Sequence, residues 1–215
     1  VVDHFVTTYK LDPNKAKVVS NFGLFQYDLS KLIVQKEESI FNIVMISRLE
    51  KVKNIEGVIN VVARLCDTTS RNIRLTIAGS GALEQELKKK VEEMNLQNHV
   101  HFLGFITDPY PHLCNADLYV LNSHSEGFSN SLVEAMYSGT PVLSTTVGAA
   151  SDILEDSKNG FLTSVNDEEE LYLKLLKIVD IPKEVMSKIG SNGQKSIIEK
   201  YSLKNHIEQL MSLYR

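Results

Sequence analysis

The sequence is poor in cysteine, has no stretch apolar enough to cross a membrane and shows no basic excess. Cys66 and Cys114 are its only cysteines; they lie far apart in apolar segments, and no C-x-x-C pair is present. They read as buried reduced thiols, which suits a reducing cytosol. No apolar run approaches the ~18 residues needed for a spanning helix, and no signal-peptide pattern opens the chain. A net charge of −4 argues against a nucleic-acid binder, yet leaves room for a local basic site for a small phosphorylated ligand. There is no internal repeat and no low-complexity tract. What remains is a 215-residue chain, 43% hydrophobic and 23% charged, long enough for one domain with a real core or a domain plus a fragment of a second. Because it opens at Val1 rather than Met, it is expected to be an excised piece.

Apolar runs alternate with amphipathic stretches through the middle of the chain. Strands are predicted at Phe41–Ser47, Ile73–Ala78, His99–Leu103, Asp117–Leu121 and Pro141–Thr145, with a short sixth near Phe161. Asn54 is placed to cap a helix with Ile55, Val58, Ile59, Val62 and Leu65 on one stripe. The next helix carries Leu83, Leu87 and Val91 on one face and Glu84–Lys88 and Glu86–Lys90 pairs outside. Further helices are expected around Tyr110–Asn115, over Asn130–Ser138 and, after Glu168, over the remainder of the chain. This alternation implies an α/β fold: a mostly parallel sheet with helices on both faces. Right-handed crossovers then bring every strand's carboxyl end to one edge, where open α/β sheets bind ligands.

Five loops converge on that edge. Arg48 and Lys53 follow the first strand, Gly79-Ser80-Gly81 the second and Gly104-Phe105 the third. His124-Ser125-Glu126-Gly127-Phe128-Ser129-Asn130 follows the fourth, and Thr145-Thr146-Val147-Gly148 the fifth. Two cations and a helix start capped by Ser129 suit a phosphorylated ligand, because the first helical N–H groups are unpaired and the helix end is positive. Glu134, four residues after Asn130, falls on the same helical row and could accept two hydrogen bonds from a ribose diol. Glu126, in the loop before the helix, points into the cleft. Each feature alone has a plain alternative: Arg48 and Lys53 as a surface pair, the glycines as a simple turn, the two acids as surface charge. The convergence of five loops decides for a site. His99 and His101 alternate on a strand without a third metal ligand, so packing is their expected role; His124 is given none.

Residues Glu126 to Met136 (EGFSNSLVEAM) resemble the E-x7-E signature of family-4 (group 1) retaining glycosyltransferases. Ser47-Arg48-Leu49 with Lys53-Asn54, Ile77-Ala78-Gly79-Ser80-Gly81, Phe102-Leu103-Gly104-Phe105 and Gly139-Thr140-Pro141-Val142 are similar to further family segments, in the same order. Val18-Val19-Ser20-Asn21 is similar to the segment through which the family's chain passes into its second domain. The resemblance implies a Rossmann-like lobe of a GT-B architecture, the donor-binding C-terminal one. Residues 1–38 would lead in from an absent N-terminal domain, 39–200 would bind the nucleotide sugar, and 201–215 would return toward the absent lobe.

It also implies roles. Arg48 and Lys53 would hold the donor diphosphate and stabilise charge on the leaving nucleotide, aided by the backbone N–H groups of Asn130 and Ser131. Glu134 would hold the ribose, and the backbone near Phe105 and Ile106 would contact the base. Glu126 would touch the transferred sugar, as nucleophile or as orienting group. Gly79, Gly81, Gly127, Phe128 and Ser129 would line the substrate. The outcome would be retention, with no metal and no cofactor, the nucleotide sugar being a substrate. The acceptor would be a glycan or glycolipid in polysaccharide synthesis, and the full-length protein would be cytoplasmic, at or near the inner face of the membrane. Ser47 stands where the family often has Gly, and Ala149 and Asp152 where Gly and Glu are common, which leaves the donor sugar open. Two rivals stand beside this reading: a nucleotide-sugar epimerase on the same fold, and a non-catalytic nucleotide-binding lobe.

Overall fold

The computed structural model describes residues 8, 10, 12, 19, 21–23, 25, 27–32, 34 and 36–214. Much of the lead-in expected at 1–38, including Val18 and Ser20 of the interdomain segment, lies outside the described residues. The described residues form a six-stranded, wholly parallel sheet flanked by helices. In chain order the elements are β1 (Ile40–Ile46), α1 (Ile55–Thr68), β2 (Asn72–Ala78), α2 (Glu84–Glu93), β3 (Val100–Gly104), α3 (Tyr110–Cys114) and β4 (Leu118–Leu121). Then follow α4 (Asn130–Tyr137), β5 (Val142–Thr145), α5 (Ala150–Ile153), β6 (Phe161–Thr163), α6 (Glu168–Val179), α7 (Lys183–Tyr201) and α8 (Leu203–Ser212). The strand order is β3-β2-β1-β4-β5-β6. β1 is therefore central, with Ile43 opposite Leu75 of β2 on one side and Leu118 of β4 on the other.

Side chains of a strand alternate between faces, and this alternation divides the core in two. Ile43, Met45, Leu118 and Val120 pack with Val58, Ile59, Val62 and Leu65 of α1, Leu87 and Val91 of α2 and Leu171 and Leu175 of α6. Val44, Tyr119 and Leu121 pack on the opposite face with Leu113 of α3, Leu132, Val133 and Met136 of α4 and Ile153 of α5. Burial of each such aliphatic side chain contributes about 1.5–3 kcal/mol. Helix α7 serves both clusters, Met186 and Ile189 joining the first and Ile197 the second. It passes beneath the amino-terminal ends of β5 and β6, where a Cβ on Gly190 would lie 2.1 Å from the Gly139 carbonyl oxygen. Among the described residues, no helix is long and apolar enough to cross a membrane.

Two local expectations are corrected. Asn54 occupies the position before α1 but its side chain makes no capping bond; it adopts a left-handed conformation (φ 45°, ψ 45°). The chain has to turn out of the 3-10 turn Lys51–Lys53 into α1, and Asn tolerates that conformation better than most residues. In α2, Lys88 does pair with Glu84 at 2.7 Å, but Lys90 pairs at 2.7 Å with Glu56 of α1 rather than with Glu86. A neighbouring helix offers Lys90 a partner that the isolated α2 pattern does not reveal.

The approach of α7 to the Gly139 carbonyl makes a measurable claim. Gly190→Ala is expected to cost about 1–3 kcal/mol in urea unfolding, because backbone has to move to admit the methyl group. At Gly127 an added Cβ meets nothing within 4 Å, so Gly127→Ala is expected to leave the unfolding midpoint nearly unchanged.

Candidate active site

β2 and β4 lie on opposite sides of β1, so the loops leaving β1 and β4 face one another across the point where the strand order reverses. Crevices in open α/β sheets form at that point. The loop after β1 is held from below by the loop after β2. The Ser47 N–H donates to the Ala78 carbonyl (3.0 Å), the Leu49 N–H to the Ser80 carbonyl (2.9 Å) and the Leu83 N–H to the Leu49 carbonyl (3.0 Å). Gly79 has φ +135°, and a Cβ there would lie 1.9 Å from the Ser47 carbonyl oxygen; one at Gly81 would lie 2.5 Å from that of Leu49. The two glycines thus support the strip of backbone that carries Arg48, a close approach that side chains would block.

The same loop is stitched to the β4 loop. The His124 N–H donates to the Val52 carbonyl (2.8 Å) and Asn122 Nδ2 to the Asn54 carbonyl (3.2 Å). Between these bonds Lys53 Nζ meets Glu126 Oε1 at 2.5 Å, across 73 residues of chain. Their side chains are only 15% and 13% exposed, so this pair is screened far less than a surface one. Glu126 Oε1 also accepts from Ser123 Oγ (2.8 Å). The second cation is placed differently. Arg48 is 72% exposed and pairs with Glu50 at 2.7 Å. Lys53 is thus a fixed charge inside the crevice, and Arg48 an exposed one on the same loop.

Helix α4 begins beside this pair. Ser129 is its cap, accepting from the Leu132 N–H at 3.4 Å. Ser131 Oγ is held by the hydroxyl of fully buried Tyr119 (2.7 Å). The N–H groups of Asn130 and Ser131 find no acceptor among the described residues, as expected for the first turn. One turn on, Glu134 is half-buried and its carboxylate has no hydrogen bond or ion pair among the described residues. Burial pushes its carboxyl above the ordinary glutamate range. It opens on a cavity of about 310 Å³ lined also by Asn130, Val133, Tyr110, Phe22 and Phe25. The Tyr110 phenol is pushed up to about 12, first by burial and then by the charge of Glu134.

The remaining expected residues are spread around this centre. Phe105 is 76% exposed at the carboxyl end of β3, Ile106 is half-buried beside it, and Gly104 precedes them with its carbonyl accepting from the Gly79 N–H (2.7 Å). Gly127 borders open space, its carbonyl taking the Ala149 N–H at 2.9 Å. The Phe128 ring turns away to Tyr201 of α7, 5.8 Å between centroids. His99 bonds the Ile73 carbonyl through Nδ1 (2.9 Å), and the described residues contain no cluster of three metal-ligating side chains. Sequence reasoning missed Ser123, Tyr110 and Tyr119. A serine two residues past an apolar run, a tyrosine between two prolines and a tyrosine inside a buried strand carry no mark that separates a site from a scaffold.

Two measurements follow. A Glu134 carboxyl raised by burial favours its protonated form in the fold, so its contribution to stability falls as pH rises through the folded value. Glu134→Gln is therefore expected to raise Tm at pH 7, the gain vanishing as pH drops below the ordinary value of 4.5. For Lys53 and Glu126, a double-mutant cycle of Lys53→Met and Glu126→Gln in urea unfolding is expected to give a coupling of about 1–3 kcal/mol, the single Lys53 change being the most harmful because it leaves the carboxylate unpaired.

The family model for glycosyl transferases group 1 matches residues 30–196. The chain is 32% identical over 171 residues to the poly(ribitol-phosphate) alpha-N-acetylglucosaminyltransferase of Staphylococcus aureus (strain COL), covering 79% of this chain and 34% of that one. Staphylococcus aureus TarM, solved as a mutant in complex with fondaparinux, alpha-GlcNAc-glycerol and UDP, superposes with TM-score 0.84 at 26% identity, over 99% of this chain and 41% of its own. Anabaena Alr3699/HepE, solved in complex with UDP, superposes with TM-score 0.74 at 25% identity, over 82% of this chain and 49% of its own. The chain spans about half or less of the length of these proteins. With the family matched over most of its length and the strand-edge geometry in place, the chain belongs to the group 1 glycosyl transferases.

Proposed function

We propose that this chain is the donor-binding half of a retaining glycosyltransferase, which moves a sugar from a nucleotide diphosphate sugar to a glycan or glycolipid in polysaccharide synthesis. The observation that carries the reading is the grouping of Lys53, the N–H groups of Asn130 and Ser131, which are unpaired among the described residues, and the carboxylate of Glu134, which has no hydrogen bond or ion pair among them. A diphosphate set on the start of α4 would take those N–H groups, with Lys53 and Arg48 supplying positive charge as the nucleotide departs. Glu134, one turn on, would accept from the ribose hydroxyls, and the backbone at Phe105 and Ile106 would meet the base. Glu126 would face the transferred sugar. The two cations already serve the leaving group, so the proposal includes no metal and no cofactor.

UDP in the complexes of two similar proteins supports a uridine nucleotide, and the relative named for poly(ribitol-phosphate) supports a surface polymer as acceptor. The acceptor would be held by a second lobe outside this chain, and the whole protein would work in the cytoplasm beside the membrane. Calorimetric titration of wild type and Arg48→Ala with UDP, GDP and ADP tests the donor site. One nucleotide is expected to bind, and Arg48→Ala to weaken it by about tenfold or more while Tm is kept, the loss expected for a charge-assisted pair. Unchanged affinity would count against the site. Incubated with nucleotide sugar and acceptor, the chain alone is expected to give no glycosylated product, since transfer needs two lobes closing over both substrates. A free nucleotide sugar with an altered sugar would instead favour an epimerase.

A further inference from the structure

Glu126 does not present two equivalent oxygens. Oε1 accepts from both Lys53 Nζ (2.5 Å) and Ser123 Oγ (2.8 Å). Oε2 takes no hydrogen bond among the described residues. Ser123 has no exposed surface, and its carbonyl accepts from Thr145 Oγ1 at 2.8 Å. Thr145 is itself 1% exposed and closes β5 beside β4, also reaching the Leu121 carbonyl at 3.4 Å. A buried chain of donors therefore runs from the end of β5, through the end of β4, to the Glu126 carboxylate and on to Lys53.

On the reading of the site given above, we infer that Ser123 and Thr145 are positioning residues. They commit Glu126 Oε1 to Lys53 and leave Oε2 as the oxygen that accepts from a hydroxyl of the donor sugar. A serine hydroxyl has one proton, and here it is spent on the carboxylate. Without it Glu126 would be tied only to Lys53, itself a long flexible side chain, and the two could swing together toward the diphosphate. With it, the ammonium keeps one N–H on Glu126 and has two for the diphosphate. Charge neutralisation and sugar recognition are thereby held apart, on the two oxygens of one carboxylate.

The test compares the affinity of the chain for UDP with its affinity for UDP-glucose and UDP-N-acetylglucosamine. Ser123→Ala keeps the backbone carbonyl and so removes only the bond to Glu126. It is expected to lower Tm by only a few degrees, to leave UDP affinity within about twofold of wild type, and to weaken the nucleotide sugar that wild type binds by about tenfold, the cost of one bond to a charged group. Ser123→Thr is expected to restore it, and Thr145→Val to give a smaller change in the same direction. Equal losses for UDP and nucleotide sugar would mark Ser123 as merely structural and overturn the inference, as would no change in either. A wild type that binds UDP but neither nucleotide sugar would overturn it too. A wild type that binds no nucleotide at all would instead remove the donor-site reading, and this inference with it.

Discussion

β1 is bonded in parallel register to β2 on one flank and to β4 on the other, and the position of nearly every group in the proposed site follows from that. Right-handed crossovers that leave a central strand in opposite directions send their helices to opposite faces, so the loops at the carboxyl ends of β1 and β4 have a gap between them. Into this gap the β1 loop sends Lys53 and the β4 loop sends Glu126, and their ion pair, with the backbone bond from His124 to Val52 and the bond from the Asn122 side-chain amide to the Asn54 carbonyl, fixes its width.

The charges around the gap are graded by how tightly they are held. Lys53 is fixed by Glu126, which is fixed in turn by Ser123. Arg48 is exposed and shares its charge with Glu50 at the rim. Glu134 stands in a partly buried position with no ion pair among the described residues, and burial raises its carboxyl. A fold selected only for stability would replace such a carboxylate; a fold that has to receive hydroxyl hydrogens would keep it.

The strands and helices were largely legible in the sequence. A buried parallel strand is a continuous apolar run, and Phe41–Ser47 or Asp117–Leu121 could be little else in an alternating chain. Arg48, Lys53, Glu126 and Glu134 stood out because each follows a strand or a helix start at a spacing that has a physical meaning. What escaped was whatever depends on a partner distant in sequence. The left-handed turn at Asn54 answers to the β4 loop, Lys90 chooses Glu56 over the nearer Glu86, and Thr145 reaches Ser123 across 22 residues. Local pattern cannot rank such contacts, because each is settled by packing that only the assembled sheet brings about.

Helix α7 has a consequence for how the domain comes apart. The sheet separates two cores that share almost no side chains, an arrangement in which one face could loosen while the other stayed intact. α7 places Met186 and Ile189 in the first core and Ile197 in the second, with Gly190 seated on the Gly139 carbonyl between them. Neither layer can be shed without pulling a helix out of the other, so the two faces are expected to melt as one cooperative unit. Amide protons in the strands on both sides should then exchange with a common free energy, and the crevice at the opposite edge stands on a platform that does not breathe by halves.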